Sequence, residues 1–255
     1  MIKLLMLALS GAKLGKVLLS GGSMLLSLGL YAWVFGWRYA VGLVALLLLH
    51  EMGHFVAARH RGLAVGWPTF LPFVGAWVAL KDRPMDAGTD AFVAFGGPLL
   101  GSAAALVAYV AARDTGAPWL LAVAYAGFLI NLINLAPVPW LDGGRITGVL
   151  SPRLWVLGVP LMLALFAWTH SPLLLLLALL ALPQAWRGWR GRAAEDQPAG
   201  FYDVSPATRW GYALLYLLLC AWLGLMSHEV HGLVEATRAA TPSTELAPAG
   251  LTPAR

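Results

Sequence analysis

The sequence predicts an all-α polytopic membrane protein with six or seven transmembrane helices and a short re-entrant β-hairpin. Hydrophobic residues make up 60% of the 255 residues, whereas charged residues make up only 11%. Soluble domains usually carry about 25% charged residues, so this composition favours an integral membrane protein. The length suits one compact multi-span domain.

Apolar segments recur along the chain at close to the ~20 residues that a bilayer-spanning helix needs. The fifth and sixth of these segments are short and meet at Pro172, which disfavours a continuous helix. They are either two spans or one hairpin that does not fully cross, which leaves the count at six or seven. The predicted spans are residues 18–36, 39–60, 90–112, 117–136, 153–169, 171–186 and 208–227.

The segment "WPTFLPFVGAWVAL", residues 67–80, is apolar but does not have the pattern of a helix. Pro68, Pro72 and Gly75 interrupt it, and aromatic and β-branched residues are frequent. This pattern predicts a short β-hairpin or re-entrant loop. Backbone that is not helical is tolerated at membrane depth only against protein or beside a wet cavity.

Residues 1–227 are predicted to form a single multi-span domain whose core, residues 39–150, carries the candidate site. The N-terminal "MIKLLMLALSGAKLGK" resembles a signal peptide. However, Lys13 and Lys16 follow its short apolar run, which favours an uncleaved interfacial helix. Residues 187–207 are polar and predict a loop. Residues 228–255 contain several Pro and Thr and predict a flexible tail.

The net charge of +5 predicts membrane orientation rather than nucleic-acid binding. The basic residues lie at the ends of apolar runs, and no nucleic-acid-binding motif is present. With a cytoplasmic N-terminus and seven spans, thirteen of the 17 Lys and Arg fall on the cytoplasmic side, as the positive-inside rule requires. The single cysteine, Cys220, lies in an apolar run and predicts a packing role.

The segment "LLLLHEMGHFVAARH" places His50, Glu51 and His54 inside an apolar run. Residues four apart lie on one face of a helix, about 40° apart around its axis, so the two imidazoles can bind one ion. Two neutral imidazoles suit zinc. Glu51 is offset by one position, where it can take a proton from zinc-bound water. The alternative is that the two histidines only form hydrogen bonds to neighbouring helices. The spacing of His, Glu and His favours metal binding over this alternative.

A catalytic zinc also needs a third protein ligand, and Asp142 is the strongest candidate. It lies in "NLINLAPVPWLDGGRI", where prolines prevent a continuous helix and Asp-Gly-Gly permits a tight turn. Its carboxylate can therefore turn toward the HEMGH segment. The alternative is a helix N-cap, because Asp is common just before a helix such as "GGRITGVL".

Three further sequences are candidates for a supporting role. Asn131 and Asn134 are three residues apart, and either can stabilise a developing oxyanion or form an interhelical hydrogen bond. The small residues of "FGGPLLGSA", residues 95–103, predict close helix packing rather than substrate contact. In "HEVH", residues 228–231, the histidines are three apart and border the predicted tail, which disfavours zinc binding.

"LLLLHEMGHFVAARHRGL" together with "NLAPVPWLDGGR" resembles the site-2 protease family of intramembrane zinc metalloproteases. The resemblance covers roughly residues 20–150. It implies that His50, His54 and Asp142 are the zinc ligands, Glu51 the general base and Asn134 a transition-state contact. The more familiar second motif of the family has Asn directly before the first Pro, whereas Asn134 lies three residues before it.

The expected function is hydrolysis of peptide bonds in membrane-embedded substrates, with one Zn²⁺ per chain. The expected partners are single-span or membrane-anchored proteins and the lipid bilayer, and no nucleic acid. The expected location is the cell membrane, with a bacterial inner membrane favoured. Two other classes remain open from the sequence: a membrane transporter of metal or other ions, and a non-catalytic relative that binds membrane proteins.

Overall fold

The computed structural model describes residues 21–71, 75–80, 82 and 84–240, and these residues are mostly helical. A first helix, α1, covers Gly21–Phe35. The following helices are α2 Trp37–His60, α3 Ala87–Thr115, α4 Pro118–Asn134, α5 Asp142–Leu150, α6 Gly158–Thr169, α7 Pro172–Trp189 and α8 Pro206–Ala240. Short 3₁₀ helices cover Pro152–Leu157 and Ala193–Asp196. The two strands are β1 Thr69–Leu71 and β2 Gly75–Trp77.

The apolar helices identify the chain as a membrane protein. Within the described residues, three helices are long and apolar enough to cross a bilayer: α2, α3 and α8. The apolar stretches of α1, α4, α6 and α7 are shorter. By length and composition alone, the described residues therefore contain fewer spans than the six or seven predicted.

Helix α3 lies at the centre of the core and packs against α2, α4 and α5. The crossing of α2 and α3 is very close, because a Cβ at Gly53 would lie 2.0 Å from the carbonyl oxygen of Gly96. The predicted role of "FGGPLLGSA" in close helix packing is thereby confirmed. On the other side of α3, the buried side chains of Phe128 on α4 and Leu223 on α8 join the largest apolar cluster.

The non-helical segment between α2 and α3 contains both strands. β1 pairs with β2 in antiparallel register, with Phe70 opposite Ala76, and an isolated bridge joins Val65 to Leu80. β2 lies against α2, the helix that carries HEMGH. Whether this segment enters the membrane from one side stays a prediction.

The C-terminal boundary predicted at residue 227 is wrong for residues 228–240. Helix α8 continues without interruption to Ala240, and its buried residues include Ser227 and Val230. Apolar side chains of the last turns, Leu233 and Val234, still pack against the main core, which stabilises the helix beyond the predicted span. Residues 241–255, and the predicted interfacial helix within residues 1–16, lie outside the described residues.

Helix α5 begins directly after the turn that follows α4. This short helix packs against α3, α8 and the 3₁₀ helix at Pro152–Leu157. The main-chain N–H of Ala87, the first residue of α3, donates to the carbonyl of Phe201, whose ring is buried against α3 and α5. The predicted polar loop 187–207 thus passes over the ends of α3 and α5 and helps to hold them together.

Candidate metal centre

His50 and His54 lie on one face of α2 and are both buried, with 5% and 8% of their surface exposed. The Nε2 atoms of the two imidazoles are 3.1 Å apart. The Asp142 carboxylate comes from the first residue of α5 and faces them from the other side. Its two oxygens lie 3.2 Å from Nε2 of His50 and 3.3 Å from Nε2 of His54.

The other ring nitrogen of each histidine is held by a partner on a different helix. Nδ1 of His54 lies 2.8 Å from the carbonyl oxygen of Val93 on α3, and a carbonyl can only accept. Nδ1 of His50 lies 2.8 Å from Oδ1 of Asn131 on α4, whose amide nitrogen donates to the carbonyl of Gly127. Both Nδ1 atoms therefore act as donors, which leaves the lone pair on each Nε2.

Three ligand atoms, two imidazole nitrogens and one carboxylate oxygen, therefore meet in one buried place, within 4.8 Å of one another. With both Nδ1 atoms acting as donors, a neutral imidazole presents a lone pair at Nε2 beside the carboxylate, and this donor set suits a divalent cation such as zinc. Two ligands at ~2.0–2.1 Å from a tetrahedral zinc are about 3.3 Å apart, which matches the spacings of 3.1, 3.2 and 3.3 Å. The residues present fit one Zn²⁺.

Gly97 of α3 forms the wall of this cluster. A Cβ at this position would lie 2.2 Å from Nε2 of His54 and 2.8 Å from Nε2 of His50. Any other residue would occupy the space in front of the imidazole lone pairs. The glycine therefore leaves this space open to an ion.

Asp142 reaches the cluster because the turn between α4 and α5 is held tightly. A Cβ at Gly143 would lie 1.9 Å from the carbonyl oxygen of Leu135, and one at Gly144 would lie 1.9 Å from that of Val138. Neither glycine has a positive φ, so the requirement is close backbone packing and not a special turn conformation. The helix N-cap is Leu141, and among the described residues Asp142 makes no capping hydrogen bond. In the structure, Asp142 is therefore not the N-cap of α5.

Glu51 is buried beside the histidines, with 6% of its surface exposed, and does not belong to the group of close ligand atoms. Its carboxylate accepts a hydrogen bond from the main-chain N–H of Val78, just beyond β2. The 75–80 segment therefore runs directly beside the cluster. Sequence reasoning predicted a carboxylate next to the ion, and its backbone partner could not be read from the sequence.

The two asparagines occupy different positions. Asn131 forms an interhelical hydrogen bond that orients His50. Of the two roles predicted for the asparagines, this is the structural one. Asn134 ends α4 and is half-buried, and among the described residues its side chain makes no hydrogen bond. A transition-state contact for Asn134 stays a prediction.

"HEVH" does not form a site of this kind in the described part of the chain. His228, Glu229 and His231 are exposed, and the ring of His231 packs 5.2 Å from that of Tyr125. Within the described residues, the only group of three His, Cys, Asp or Glu side chains close enough to hold one metal ion is His50, His54 and Asp142.

The comparison with protein families gives a match over the helix that carries the two histidines. Residues 38–116 match the sequence model of peptidase family M50, and this range contains HEMGH and the glycines of α3. The predicted resemblance to the site-2 protease family is confirmed by this match. Asp142 lies beyond the matched range, so its place beside the histidines rests on the geometry.

Two curated proteins of Mycobacterium tuberculosis, from two strains, are similar to the chain. Both bear the name "Putative zinc metalloprotease Rip3". Each is 36% identical over 124 residues, which are 45% of this chain and 31% of the relative. The chain thus matches about a third of the length of these relatives.

Proposed function

We propose that this chain is an intramembrane zinc metalloendopeptidase that hydrolyses peptide bonds of membrane-embedded substrates. The observation that carries the proposal is the buried group of ligand atoms from His50, His54 and Asp142, which lie within 4.8 Å of one another. The match to peptidase family M50 and the similarity to a named zinc metalloprotease support the same conclusion.

In this proposal, His50, His54 and Asp142 hold one Zn²⁺, and a fourth position stays open for the reaction. When bound, zinc acts as a Lewis acid that makes water nucleophilic near neutral pH and polarises the scissile carbonyl. Asn131 and the Val93 carbonyl keep the two imidazoles in the tautomer that presents Nε2.

Glu51 is the general base. Its carboxylate accepts a proton from the attacking water as the water oxygen bonds to the scissile carbonyl carbon. It then delivers that proton to the leaving amine as the carbon–nitrogen bond breaks. The hydrogen bond from the Val78 N–H fixes the carboxylate while leaving a second oxygen available for the water. Asn134 is proposed to contact the developing oxyanion from the end of α4.

The substrate is proposed to bind in an extended conformation. A helical substrate keeps its carbonyls in internal hydrogen bonds, so the helix must unwind before attack. The segment with β1 and β2 lies against α2 and runs beside Glu51 through Val78, which supports a binding edge for extended chain at this place. The proposed partners are single-span or membrane-anchored proteins.

The proposed location is the cell membrane, with six or seven spans, a cytoplasmic N-terminus and a bacterial inner membrane. The support is the asymmetric placement of basic residues, thirteen of 17 on the proposed cytoplasmic side. Water would then reach the site from the cytoplasm, where the loops are polar.

The test is zinc content together with proteolysis of the purified protein in detergent. Wild type is compared with Asp142→Ala and with Asp114→Ala, which removes an exposed carboxylate at the end of α3. We expect one zinc per chain and chelator-sensitive cleavage of fluorescently labelled casein for wild type and Asp114→Ala, and loss of both for Asp142→Ala. Wild-type protein that binds zinc and does not cleave any added protein, including a single-span peptide in micelles, would contradict the proposed function.

A further inference from the structure

An ion pair links α3 and α5 next to the candidate metal centre. The Arg145 guanidinium donates from two nitrogens to Oδ1 of Asp90, at 3.0 Å and 2.6 Å. Both side chains are largely buried, with 23% and 20% of their surface exposed. The exposed ion pair between Arg187 and Asp196, by contrast, has side chains that are 42% and 70% exposed.

Each residue of the ion pair lies three residues along its helix from a residue of the metal centre. On α3, Asp90 lies three residues before Val93, whose carbonyl orients His54. On α5, Arg145 lies three residues after Asp142. Residues three apart are neighbours on a helix surface. The Arg145–Asp90 pair and the Asp142–His54–Val93 chain of contacts are therefore adjacent connections between the same two helices.

The Arg145 guanidinium stays charged in its surroundings. Burial alone would lower the pKa of Arg145, but the facing Asp90 carboxylate outweighs this effect and holds the pKa above its usual value. Burial, aided by the nearby carboxylates of Asp90 and Asp196, raises the pKa of Tyr202 to about 12, so this neighbouring phenol stays neutral. Two N–H donors of one planar guanidinium converge on the same carboxylate oxygen, which restricts both the distance and the orientation of the pair.

We propose that Arg145 and Asp90 form a positioning pair that sets the separation of α3 and α5, and thereby the reach of Asp142 toward the ion between the two histidines. This inference rests on the proposed zinc site. Neither residue belongs to the group of possible metal ligands. The pair acts through Asp142 on one helix and through the Val93 carbonyl on the other.

A second arginine anchors the opposite end of α5 and distinguishes positioning from general stability. Arg209 of α8 donates to the carbonyls of Leu150 and Tyr202, each at 2.7 Å, and to that of Val204 at 3.3 Å. Leu150 is eight residues from Asp142, which is about 12 Å along a helix. Loss of this anchor should loosen the fold without moving the ligand end of α5.

The experiment compares Arg145→Gln and Asp90→Asn with two controls, Arg209→Gln and Arg187→Gln. For each protein, zinc affinity is measured by competition with a chromophoric chelator, ligand geometry by the visible absorption of the Co²⁺-loaded protein, and stability by thermal unfolding without metal. For the first two variants we expect zinc affinity to fall about 10–100-fold, as for other residues that orient metal ligands, with a changed Co²⁺ spectrum.

The controls make the outcome decisive. Arg209→Gln should unfold at lower temperature yet keep wild-type affinity and spectrum, and Arg187→Gln should match wild type in all three measurements. Arg145→Lys keeps the charge but loses the pair of fixed donors that meet Oδ1 of Asp90, so its zinc affinity should lie between those of wild type and Arg145→Gln.

Wild-type affinity and spectrum in Asp90→Asn and Arg145→Gln would overturn the positioning role while leaving the zinc site intact. An affinity loss in Arg209→Gln as large as that in Arg145→Gln would overturn it as well, because the effect would then follow stability. Wild-type protein without zinc would instead overturn the proposed function. If Arg145→Gln does not fold, Asp90→Asn and Arg145→Lys decide the question.

Discussion

The chain contains two short sequences with His, Glu and His, and only one of them is built into a site. HEMGH lies in the second half of α2 at the crossing with α3, and its three polar residues are at most 8% exposed. HEVH lies near the end of α8, where His228, Glu229 and His231 are exposed. The difference begins with spacing, because four residues bring two imidazoles to one face with their Nε2 atoms 3.1 Å apart.

Spacing is the smaller part of the difference. HEMGH has a carboxylate from another helix, a carbonyl and an amide that orient the imidazoles, and a glycine that leaves room for the ion. At HEVH the described contact is the packing of His231 on the Tyr125 ring. A His-Glu-His sequence therefore becomes a metal centre only when neighbouring helices supply the remaining parts.

The sharpest way to test the comparison is to remove one histidine from each sequence. His54→Ala takes away one of three ligands, and we expect zinc to be lost completely and proteolysis with it. His231→Ala should retain one zinc per chain and full activity. Metal analysis of the two purified variants measures this, and equal zinc loss in both would remove the distinction between the two sequences.

The glycines beside the two sequences provide the next comparison. Gly97→Ala places a Cβ 2.2 Å from Nε2 of His54, so the imidazole must turn away or the helices must separate. We expect most of the zinc to be lost. Gly232, directly after HEVH, has open space around it, and Gly232→Ala should keep the metal and stabilise α8 by up to about 1 kcal/mol. Zinc content and thermal unfolding test both expectations, and full zinc occupancy in Gly97→Ala would contradict the assigned position of the ion.

The glutamates separate binding from catalysis. Glu51→Gln removes the proposed base but no ligand, so we expect zinc content to be unchanged and casein cleavage to fall by roughly 10²–10⁴-fold. Glu229→Gln should cleave casein at the wild-type rate. If Glu51→Gln retains wild-type cleavage, the base is a different group.

The smallest expected effect concerns the residues that contact the histidines from outside. Asn131→Ala removes the acceptor for Nδ1 of His50, which should weaken zinc affinity about 10–100-fold without abolishing binding. Tyr125→Leu removes the ring against His231 and should leave zinc affinity unchanged. Chelator competition measures both, and an unchanged affinity for Asn131→Ala would show that His50 is oriented by the helix alone.

Features that depend on neighbours along the chain could be predicted from the sequence. The shared face of His50 and His54, the position of Glu51 beside them, the helical membrane character and the non-helical segment at 67–80 follow from local periodicity and from Pro and Gly placement. The end of α8 could not be predicted in this way. The prolines that suggested a tail from residue 228 onward all follow Ala240, and packing of Leu233 and Val234 on the core accompanies the helix up to that residue.

Alone, the sequence determined that a metal-binding pair of histidines lies in an apolar helix, because a spacing of four residues fixes their relative direction within one helix. The tertiary structure decided what completes the pair. Asn131 is 81 residues from His50, and Val93 is 39 residues from His54. Contacts over such separations depend on how α3, α4 and α5 pack against α2, and no local pattern encodes that packing. The same holds for the Arg145–Asp90 pair, whose two charges, in separate apolar regions of the chain, meet only where α3 and α5 pack.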